Sequence, residues 1–504
     1  MNTTCPVCNQ PIDPTSSPFS TYKGVTYYLR SSNCMSRFDD DPKRFIAAPK
    51  SMVADPQPEA ARSLLVNLFG PASQRPFAVQ WWNGALDGPA TQDVARATVV
   101  IKRPGVLRDM LLPPREVAFA EAYLRGDLDI DGDIGVLADQ VDLLAKRVRS
   151  PRNFLRLLPD IFTLPRDRQG SPSAVLRTAR PRHLKHTPRR DAQAVRFHYD
   201  VGNEFYRLWL DQNMVYSCGY FLTGTEDIDQ AQEAKLDYIC RKLRLHPGER
   251  LLDIGCGWGG LVRFAAREYG VDALGITLSK AQADYALRRI IDEGLEGSCR
   301  VDVLDYRNLS TDVQFDKVSS VGMVEHVGVR QLPIYFSRVF KLLRPGGLFF
   351  NQGIVVTGKP GPMGIAKKLM ASVWGDGTFF DRYVFPDGEL TLPNELVRQG
   401  EIVGFETRDV ESLREHYALT LRHWVSRLEA HHKEAVDLVG EATYRVWRLY
   451  MSAMVYTFET GGTGLIQMLL SKPGERGHSE LPLTRADLHR DRVPNGVENR
   501  RGAS

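Results

Sequence analysis

The 504-residue sequence lacks long apolar runs, abundant cysteine and any large excess of charge. No stretch approaches the 18 apolar residues of a membrane-spanning helix, and the polar start MNTTCPVCNQ indicates no signal peptide. Seven cysteines, an odd number in a long chain, favour free thiols or metal ligands over a disulfide framework. The net charge of +4 gives the chain as a whole no preference for nucleic acid. We therefore expect a cytoplasmic protein.

The composition, with 43% hydrophobic and 25% charged residues, is that of a globular protein with full-sized cores. The length allows two to four domains. Changes in composition along the chain predict a Cys-containing module (1–50), a small α+β domain (55–145), a basic linker (146–190), a large α/β domain (191–473) and a disordered tail (474–504).

The module at 1–50 contains Cys5 and Cys8 in a C-P-V-C knuckle, and Cys34 follows an aromatic stretch. Two thiolates on one tight turn suit tetrahedral zinc, which needs four ligands. With C-P-V-C, Y-K-G-V-T-Y-Y and D-D-D-P-K-R-F, the segment resembles the YHS family of metal-associated modules. Two interpretations stay open: a metal site completed by Asp13, Asp39 or a partner, and a metal-free module used for packing or docking.

The linker at 146–190 has thirteen lysines and arginines against two aspartates, a net charge of +11. Apolar residues, Phe154 and Leu155 among them, stand beside these cations. Such a segment is attracted to anionic lipid headgroups, which predicts peripheral attachment to the inner face of a membrane. A solvated linker and nucleic-acid contact are the alternatives, and no fold signature of nucleic-acid binding accompanies the charge.

A strand, a glycine-rich turn and a helix follow one another at 250–269. Gly255, Gly257 and Gly259 let the backbone approach a ligand without Cβ clashes. Asp253 precedes these glycines inside the strand, a pattern of S-adenosylmethionine (SAM) methyltransferases rather than of dehydrogenases. We expect Asp253 to orient the glycine turn and the amino-acid end of SAM.

The next two strands supply the rest of the predicted cofactor site. Thr277 ends the second strand, and together with Gln282 on the following helix it can bind the ribose hydroxyls. Asp305 and Tyr306 follow the third strand, where a carboxylate can accept the adenine amino group and a ring can stack. The alternation of strands and helices through this region predicts a doubly wound parallel sheet.

Several stretches of the chain carry a family resemblance, namely FHYDVGNEFY (197–206), YSC (216–218), LDIGCGWGG (252–260), GITLSKAQ (275–282), VGMVEHVG (321–328), YVFP (383–386) and YALTLRHW (417–424). Over roughly 60–475 the sequence resembles the cyclopropane-fatty-acyl-phospholipid synthase family. The resemblance implies a seven-stranded, mostly parallel SAM-methyltransferase sheet and a small lipid-binding domain at 55–145. It also implies methyl transfer from SAM to the double bond of an unsaturated phospholipid acyl chain, and it leaves open whether the protein is a homodimer.

The resemblance assigns site residues as well. It places Tyr216 and Ser217 with the cofactor, and it implies a bound bicarbonate base held by the Cys218 backbone, Glu325, Ile354 and Tyr417. Attack of an alkene on a methyl group leaves a carbocation, so the site must exclude water and can use aromatic faces to stabilise the charge. The candidate rings are Tyr199, Phe205, Trp374, Phe379, Tyr383 and Tyr417.

One position departs from the family pattern, because Gln352 stands where the family has a histidine. Glutamine can donate a hydrogen bond to an anion, but it carries no charge and relays no proton. A weaker base leaves time for a hydride shift, so a methylene- or methyl-branched chain is the alternative to the expected cyclopropane ring. An alternative from another class is an inactive scaffold, membrane-associated or metal-sensing, and the complete glycine turn together with Glu325 argues against it.

Overall fold

The computed structural model places the strands of the chain in three separate sheets. The structure describes residues 5–7, 12–13, 16–22, 25–42, 58–89, 95–112, 116–137, 140, 151–166, 190, 193, 198–199, 201–357, 379–385, 388–479 and 481–489. Within these ranges, no helix combines the length and the apolar character that a membrane crossing requires.

The first sheet is a hairpin of β1 (Phe19–Tyr22) and β2 (Val25–Tyr28), which run antiparallel. Helix α1 (Ser32–Asp40) follows and packs on the hairpin. Cys5 and Phe38 lie in the small core between them. This core holds only a few side chains, so the module has little apolar burial of its own.

The second sheet has the strand order β4-β3-β5-β6 and contains β3 (Phe77–Gln80), β4 (Leu86–Asp87), β5 (Ala97–Ile101) and β6 (Leu128–Gly132). It is accompanied by helices α2 (Glu59–Phe69), α3 (Val106–Leu111), α4 (Glu116–Arg125) and α5 (Pro151–Thr163). Helix α5 lies inside the segment predicted as a linker. It packs on α2 and buries Leu157 and Ile161, so the small domain extends beyond the predicted boundary at 145. Most of the remaining linker lies outside the described residues.

The third sheet has seven strands in the order β12-β13-β11-β10-β7-β8-β9. They are β7 (Arg250–Ile254), β8 (Asp272–Thr277), β9 (Cys299–Val303), β10 (Phe315–Val321), β11 (Leu343–Val356), β12 (Glu406–Ser412) and β13 (Thr463–Ser471). The five strands from β11 to β9 are parallel, whereas β13 runs antiparallel to both of its neighbours. The predicted seven-stranded, mostly parallel sheet is therefore confirmed.

The helices of this large domain are α6 (Asn203–Arg207), α7 (Ile228–Leu243), α8 (Gly260–Tyr269), α9 (Lys280–Asp292), α10 (Val324–Val327), α11 (Leu332–Leu342), α12 (Phe379–Tyr383), α13 (Pro393–Val403), α14 (Arg414–Ala430), α15 (His432–Val439) and α16 (Glu441–Glu459). They leave two apolar cores, one on each face of the sheet. A third and larger core joins α14 and α16 to the small domain.

Two buried arginines of α16 connect the large domain to the small one. Arg445 donates to the carbonyl of Tyr123 at 2.9 Å. Arg448 donates to the carbonyls of Ile130 and Gly132, each at 2.9 Å. Charged donors bound to backbone carbonyls at strand β6 set the position of the small domain on the helix.

The carboxyl-terminal segment packs in part on α7. Leu488 is buried, and the guanidinium of Arg244 forms an ion pair with Asp487 at 2.9 Å. This differs from the disordered tail expected from residue 474, because Leu488 and two ion pairs, of Asp487 with Arg244 and of Arg485 with Asp409, attach residues 481–489 to the domain. Residues 490–504 lie outside the described part of the chain.

Candidate active site

The glycine turn lies between the end of β7 and the start of α8. Gly255 has a φ of +82°, and a Cβ at that position would lie 3.1 Å from Cγ of Met323. Gly259 has a φ of +79°, and a Cβ there would lie 3.0 Å from Cβ of Ala286. Both positions need glycine for conformation and for space, so the turn presents bare backbone to the cavity above it.

One cavity brings together nine of the ten residues predicted to bind the cofactor. These are Tyr216, Ser217, Asp253, Gly255, Gly257, Thr277, Gln282, Asp305 and Tyr306. The tenth, Gly259, does not line the cavity but allows the turn to pack closely on α9. The cavity lies beyond the carboxyl ends of β7 and β8, where open parallel sheets bind their ligands.

Asp253 is buried at one end of this cavity. Its Oδ1 accepts a hydrogen bond from the Ser319 hydroxyl at 2.7 Å. Burial raises the pKa of Asp253 to about 6, and the Ser319 hydroxyl and the cation of Lys235 oppose that rise. The carboxylate therefore has a fixed orientation and an acceptor suited to the ammonium group of an amino acid.

Lys235 of α7 is a cavity residue that the sequence analysis missed. It is 1% exposed, and its Nζ donates to the Ser217 hydroxyl at 2.9 Å. Burial lowers the pKa of Lys235 to about 8, against the opposing charge of Asp211. A signal was present, because Lys235 falls at the helical spacing of the buried residues Ala231 and Ile239.

The opposite end of the cavity has two polar pairs. Thr277 donates its hydroxyl hydrogen to Oε1 of Gln282 at 2.7 Å, so the amide nitrogen of Gln282 remains as the donor of the pair. The carboxylate of Asp305 accepts from Nε and a terminal nitrogen of Arg307 at 2.9 and 2.6 Å. The predicted adenine acceptor is thus already held by an arginine that also lines the cavity, and that arginine was not foreseen.

Glu325 lies on α10, directly after β10. Its Oε1 accepts a hydrogen bond from the backbone N–H of Ile354 at 2.7 Å. Its Oε2 is buried, and no described residue is bonded to it. Burial raises the pKa of Glu325 to about 7, with the Ile354 N–H opposing. This carboxyl group can accept or release a proton near neutral pH.

The bond between Glu325 and Ile354 lies where the resemblance implies a bicarbonate ion. The N–H of Ile354 donates to Glu325 in the structure, and bicarbonate binding by these residues stays a prediction. Cys218 is fully buried, and burial raises the pKa of its thiol. A thiol that stays protonated is consistent with the backbone role that the resemblance implies for Cys218.

Tyr417 and Gln352 approach the same region from different elements. The Tyr417 ring lies 4.7 Å from that of Phe458 in the large core, and burial raises the pKa of its hydroxyl. Gln352 is buried on β11, and its Oε1 accepts from the side-chain amide of Gln467 at 2.9 Å. Gln352 is therefore a neutral group in a defined orientation.

Aromatic rings pack beside the cofactor cavity, and Tyr199 and Tyr216 line it. The Tyr216 hydroxyl donates to the hydroxyl of Tyr450 at 3.5 Å. The buried ring of His198 lies edge-on to Tyr199 at 4.8 Å and stacks on Phe385 at 4.1 Å. Burial lowers the pKa of His198 to about 3, so this ring stays neutral. Tyr450 and His198 were not among the predicted rings.

Three of the predicted rings have packing contacts elsewhere. Phe205 lies edge-on to Trp447 in the large core, and Phe379 contacts Tyr383 at 5.6 Å. The Tyr383 hydroxyl donates to Glu121 of the small domain at 3.4 Å. None of the three lines the cofactor cavity. The remaining candidate, Trp374, lies outside the described residues.

The predicted zinc ligands are only partly described. Cys5 is buried and Cys34 is half-buried in the same small core, while Cys8 lies outside the described residues. Across the ranges that the structure describes, no group of three or more histidine, cysteine or acidic side chains is placed to hold a metal ion. Zinc binding by this module stays a prediction.

Comparison with known proteins adds to this geometry. Residues 186–468 match the family described as "Mycolic acid cyclopropane synthetase", and residues 64–154 match one described as "Domain of unknown function (DUF7884)". The "Probable fatty acid methyltransferase" of Pseudomonas putida is 42% identical over 418 residues, which cover 82% of this chain and 96% of that protein. The "Cyclopropane-fatty-acyl-phospholipid synthase" of Escherichia coli is 35% identical over 56% of this chain and 68% of its own length.

A solved structure shows the same fold with the product form of the cofactor. The crystal structure of mycolic acid cyclopropane synthase CmaA1 complexed with SAH and CTAB superposes with a TM-score of 0.52 at 30% identity. The superposition covers 57% of this chain and 99% of that one. With the family match over more than half of its length and the SAM-type turn in place, the chain belongs to the mycolic acid cyclopropane synthetase family and is a SAM-dependent methyltransferase.

Proposed function

We propose that this enzyme transfers the methyl group of SAM to the double bond of an unsaturated acyl chain in a phospholipid and forms a cyclopropane ring. The observation that carries the proposal is the buried carboxyl group of Glu325, whose Oε2 has no described partner. An alkene substrate needs such a base in a dry site. The printed names of the relatives, which specify fatty acids and fatty-acyl phospholipids, support an acyl substrate.

The residues present fit SAM at three points. The bare turn at Gly255 and the acceptor of Asp253 suit the amino-acid end, and the Thr277–Gln282 pair suits the ribose. Tyr306 lines the cavity beside these groups and offers a ring for adenine. When bound, SAM supplies an electrophilic methyl group on a positively charged sulfur.

The aromatic side chains near the cavity and the carboxylate of Glu325 then perform three tasks. The rings of Tyr216, Tyr417 and Tyr450 exclude water and present π faces to the carbocation left on the acyl chain. The carboxylate of Glu325 removes a proton from the transferred methyl group, and a bicarbonate ion held beside it would supply an alternative base. The electron pair of that C–H bond closes the three-membered ring, and the proton leaves on the base.

A methylene- or methyl-branched product is the second candidate, and the environment of Gln352 favours it. The residue is neutral and its oxygen is engaged by Gln467, so it cannot assist the base as an ionisable group could. Slower proton removal permits a hydride shift along the chain before a different proton is lost. The printed names of relatives include fatty acid methyltransferases and sphingolipid C9-methyltransferases as well as cyclopropane synthases.

We further propose that the enzyme works on the cytoplasmic face of an anionic membrane. Helix α5 exposes Leu155 and Phe162 to 65% and 56%, with Arg156 and Arg166 exposed beside them. Apolar side chains flanked by cations suit insertion among anionic headgroups. The net charge of +11 at 146–190 also favours contact with an anionic membrane surface.

Lipid analysis of cells that express the protein tests the proposal. Phospholipid acyl chains should gain one carbon and two hydrogens, and proton NMR should show high-field ring methylene signals. Vinylidene signals would identify the branched product instead. A parent enzyme that leaves the unsaturated acyl chains unchanged, or a Glu325→Gln variant that modifies them as well as the parent does, would overturn the proposal.

A further inference from the structure

A row of three buried polar side chains leads from α7 across one face of the sheet to β11. Nζ of Lys242 donates to Oε1 of Gln467 at 2.9 Å, and Nε2 of Gln467 donates to Oε1 of Gln352 at 2.9 Å. None of the three side chains is more than 1% exposed. We call this row the Lys242–Gln467–Gln352 relay. The mechanism above assigns no task of their own to Lys242 and Gln467.

The chemistry of lysine gives this relay a direction. An ammonium group has three donors and no acceptor, so Gln467 must turn its amide oxygen toward Lys242 and its amide nitrogen toward Gln352. The side-chain oxygen of Gln352 then accepts the hydrogen bond from Gln467. Its Nε2 is left to donate a hydrogen bond to a group on the side away from Gln467. No described residue accepts a hydrogen bond from that nitrogen.

Two carboxylates flank the lysine at the start of the relay. Lys242 forms ion pairs with Glu411 and, at 3.3 Å, with Asp409. Its Nζ also donates to Gln467, so the hydrogen bonds of the relay run from Lys242 toward Gln352.

The last member of the relay faces the region around Glu325, Ile354 and Tyr417, which we call the chamber. Gln352 and Ile354 are two residues apart on β11, so their side chains lie on the same face of the sheet. The side chain of Ile354 packs in the core that also contains Cys218 and Tyr417. Glu325 is bonded to the backbone of the same strand.

We infer that Lys242 and Gln467 are positioning residues that hold the amide of Gln352 as a fixed hydrogen-bond donor to an oxyanion beside Glu325. The inference rests on the proposed function, because the oxyanion is of the carboxylate or bicarbonate class that would serve the deprotonation step. A preset N–H favours a bound anion without reorientation. This N–H also replaces part of the stabilisation that a charged histidine at position 352 would give the anion.

Gln467→Glu tests the direction of the relay with little change in shape. The new carboxylate pairs well with Lys242, but it can only accept, so Gln352 must turn its Nε2 back toward it and its oxygen toward the chamber. We expect kcat to fall about 10- to 100-fold, because an acceptor would then face the anion. The KM for lipid and the affinity for SAM should stay within about twofold.

Two further variants separate this role from a structural one. Glu411→Gln removes a charge on the other side of Lys242 and leaves the bond to Gln467, so its kcat should stay within about twofold of the parent. In the double variant Gln352→His with Gln467→Glu, an imidazolium can donate both to the new carboxylate and to the chamber. That variant should regain most of the lost kcat.

A measurement without turnover distinguishes this inference from the proposed function. Bicarbonate is the probe, and it should raise the Tm of the parent but not that of Gln467→Glu. A parent without turnover would refute the proposed function alone. A loss of kcat or of the bicarbonate shift in Gln467→Glu that the double variant restores supports the relay. Equal behaviour of Gln467→Glu and the parent in both assays, or an equal loss in Glu411→Gln, would overturn it.

Discussion

Replacing Glu325 with glutamine should stabilise the fold above neutral pH while it removes activity. Burial raises the pKa of this carboxyl group to about 7 from its ordinary value of 4.5. The folded state thus prefers the protonated form, and the carboxylate lowers stability progressively as the pH rises from about 4.5 to 7. Above pH 7 the cost reaches about 3 kcal/mol, at 1.36 kcal/mol per pKa unit. A neutral amide avoids it.

The local geometry allows glutamine to replace glutamate at this position. The amide oxygen can still accept the hydrogen bond that the Ile354 backbone donates at 2.7 Å. The variant should therefore fold, with a Tm at pH 8 higher than that of the parent by on the order of 5 °C. At pH 4.5 the parent carboxyl is protonated in the folded state and about half protonated in the unfolded state, so the difference should nearly vanish.

The same variant should lose turnover, because an amide cannot take up the proton. Loss of a general base lowers kcat by about 10²- to 10⁴-fold. In the parent, kcat measured by release of demethylated SAM from vesicles of unsaturated phospholipid should rise with pH through about 7 and level off. Glu204→Gln, which removes an exposed charge paired with Arg207, is the control for both assays. A Glu325→Gln variant that is less stable than the parent at pH 8, or that retains its kcat, would refute the reasoning.

Three other variants test the site, the domain contact and the membrane surface. Gly255→Val should weaken SAM binding at least about 100-fold by calorimetry, since its side chain would meet Met323, and unchanged affinity would remove the turn from the cofactor site. Arg448→Met should lower the free energy of unfolding by about 2 to 4 kcal/mol in urea, because two buried carbonyls lose their donor, and a change below about 0.5 kcal/mol would contradict this. Leu155→Ser combined with Phe162→Ser should reduce binding to anionic vesicles severalfold, and equal binding would dismiss α5 as a membrane contact.

Local sequence was sufficient to predict the cofactor half of the protein. The glycine turn after β7, the hydroxyl at Thr277 and the acid at Asp305 each depend on a strand and the residues directly after it. Alternating strands and helices also predicted the parallel sheet, because hydrophobic periodicity and glycine positions are short-range signals. Nine of ten predicted residues consequently line one cavity.

The reacting half depended on contacts that no local pattern records. Ile354 could not be recognised as the donor that orients Glu325, because every backbone carries the same N–H and the two residues meet only when β10 and β11 pair. Gln467 lies 115 positions from Gln352 and is a common residue in an apolar strand. The role predicted for Ile354 in holding bicarbonate stays a prediction.

The sequence by itself determined the family, the sheet and most of the predicted cofactor residues that line one cavity, since these follow from residue types at short spacing. Only the tertiary structure decided which carboxyl oxygen is left without a partner and which way the buried amide of Gln352 faces. It also decided that α5 belongs to the small domain and that Lys235 enters the cavity. The physical reason is that burial and hydrogen-bond direction depend on side chains brought together from distant parts of the chain, and these set both pKa and donor orientation.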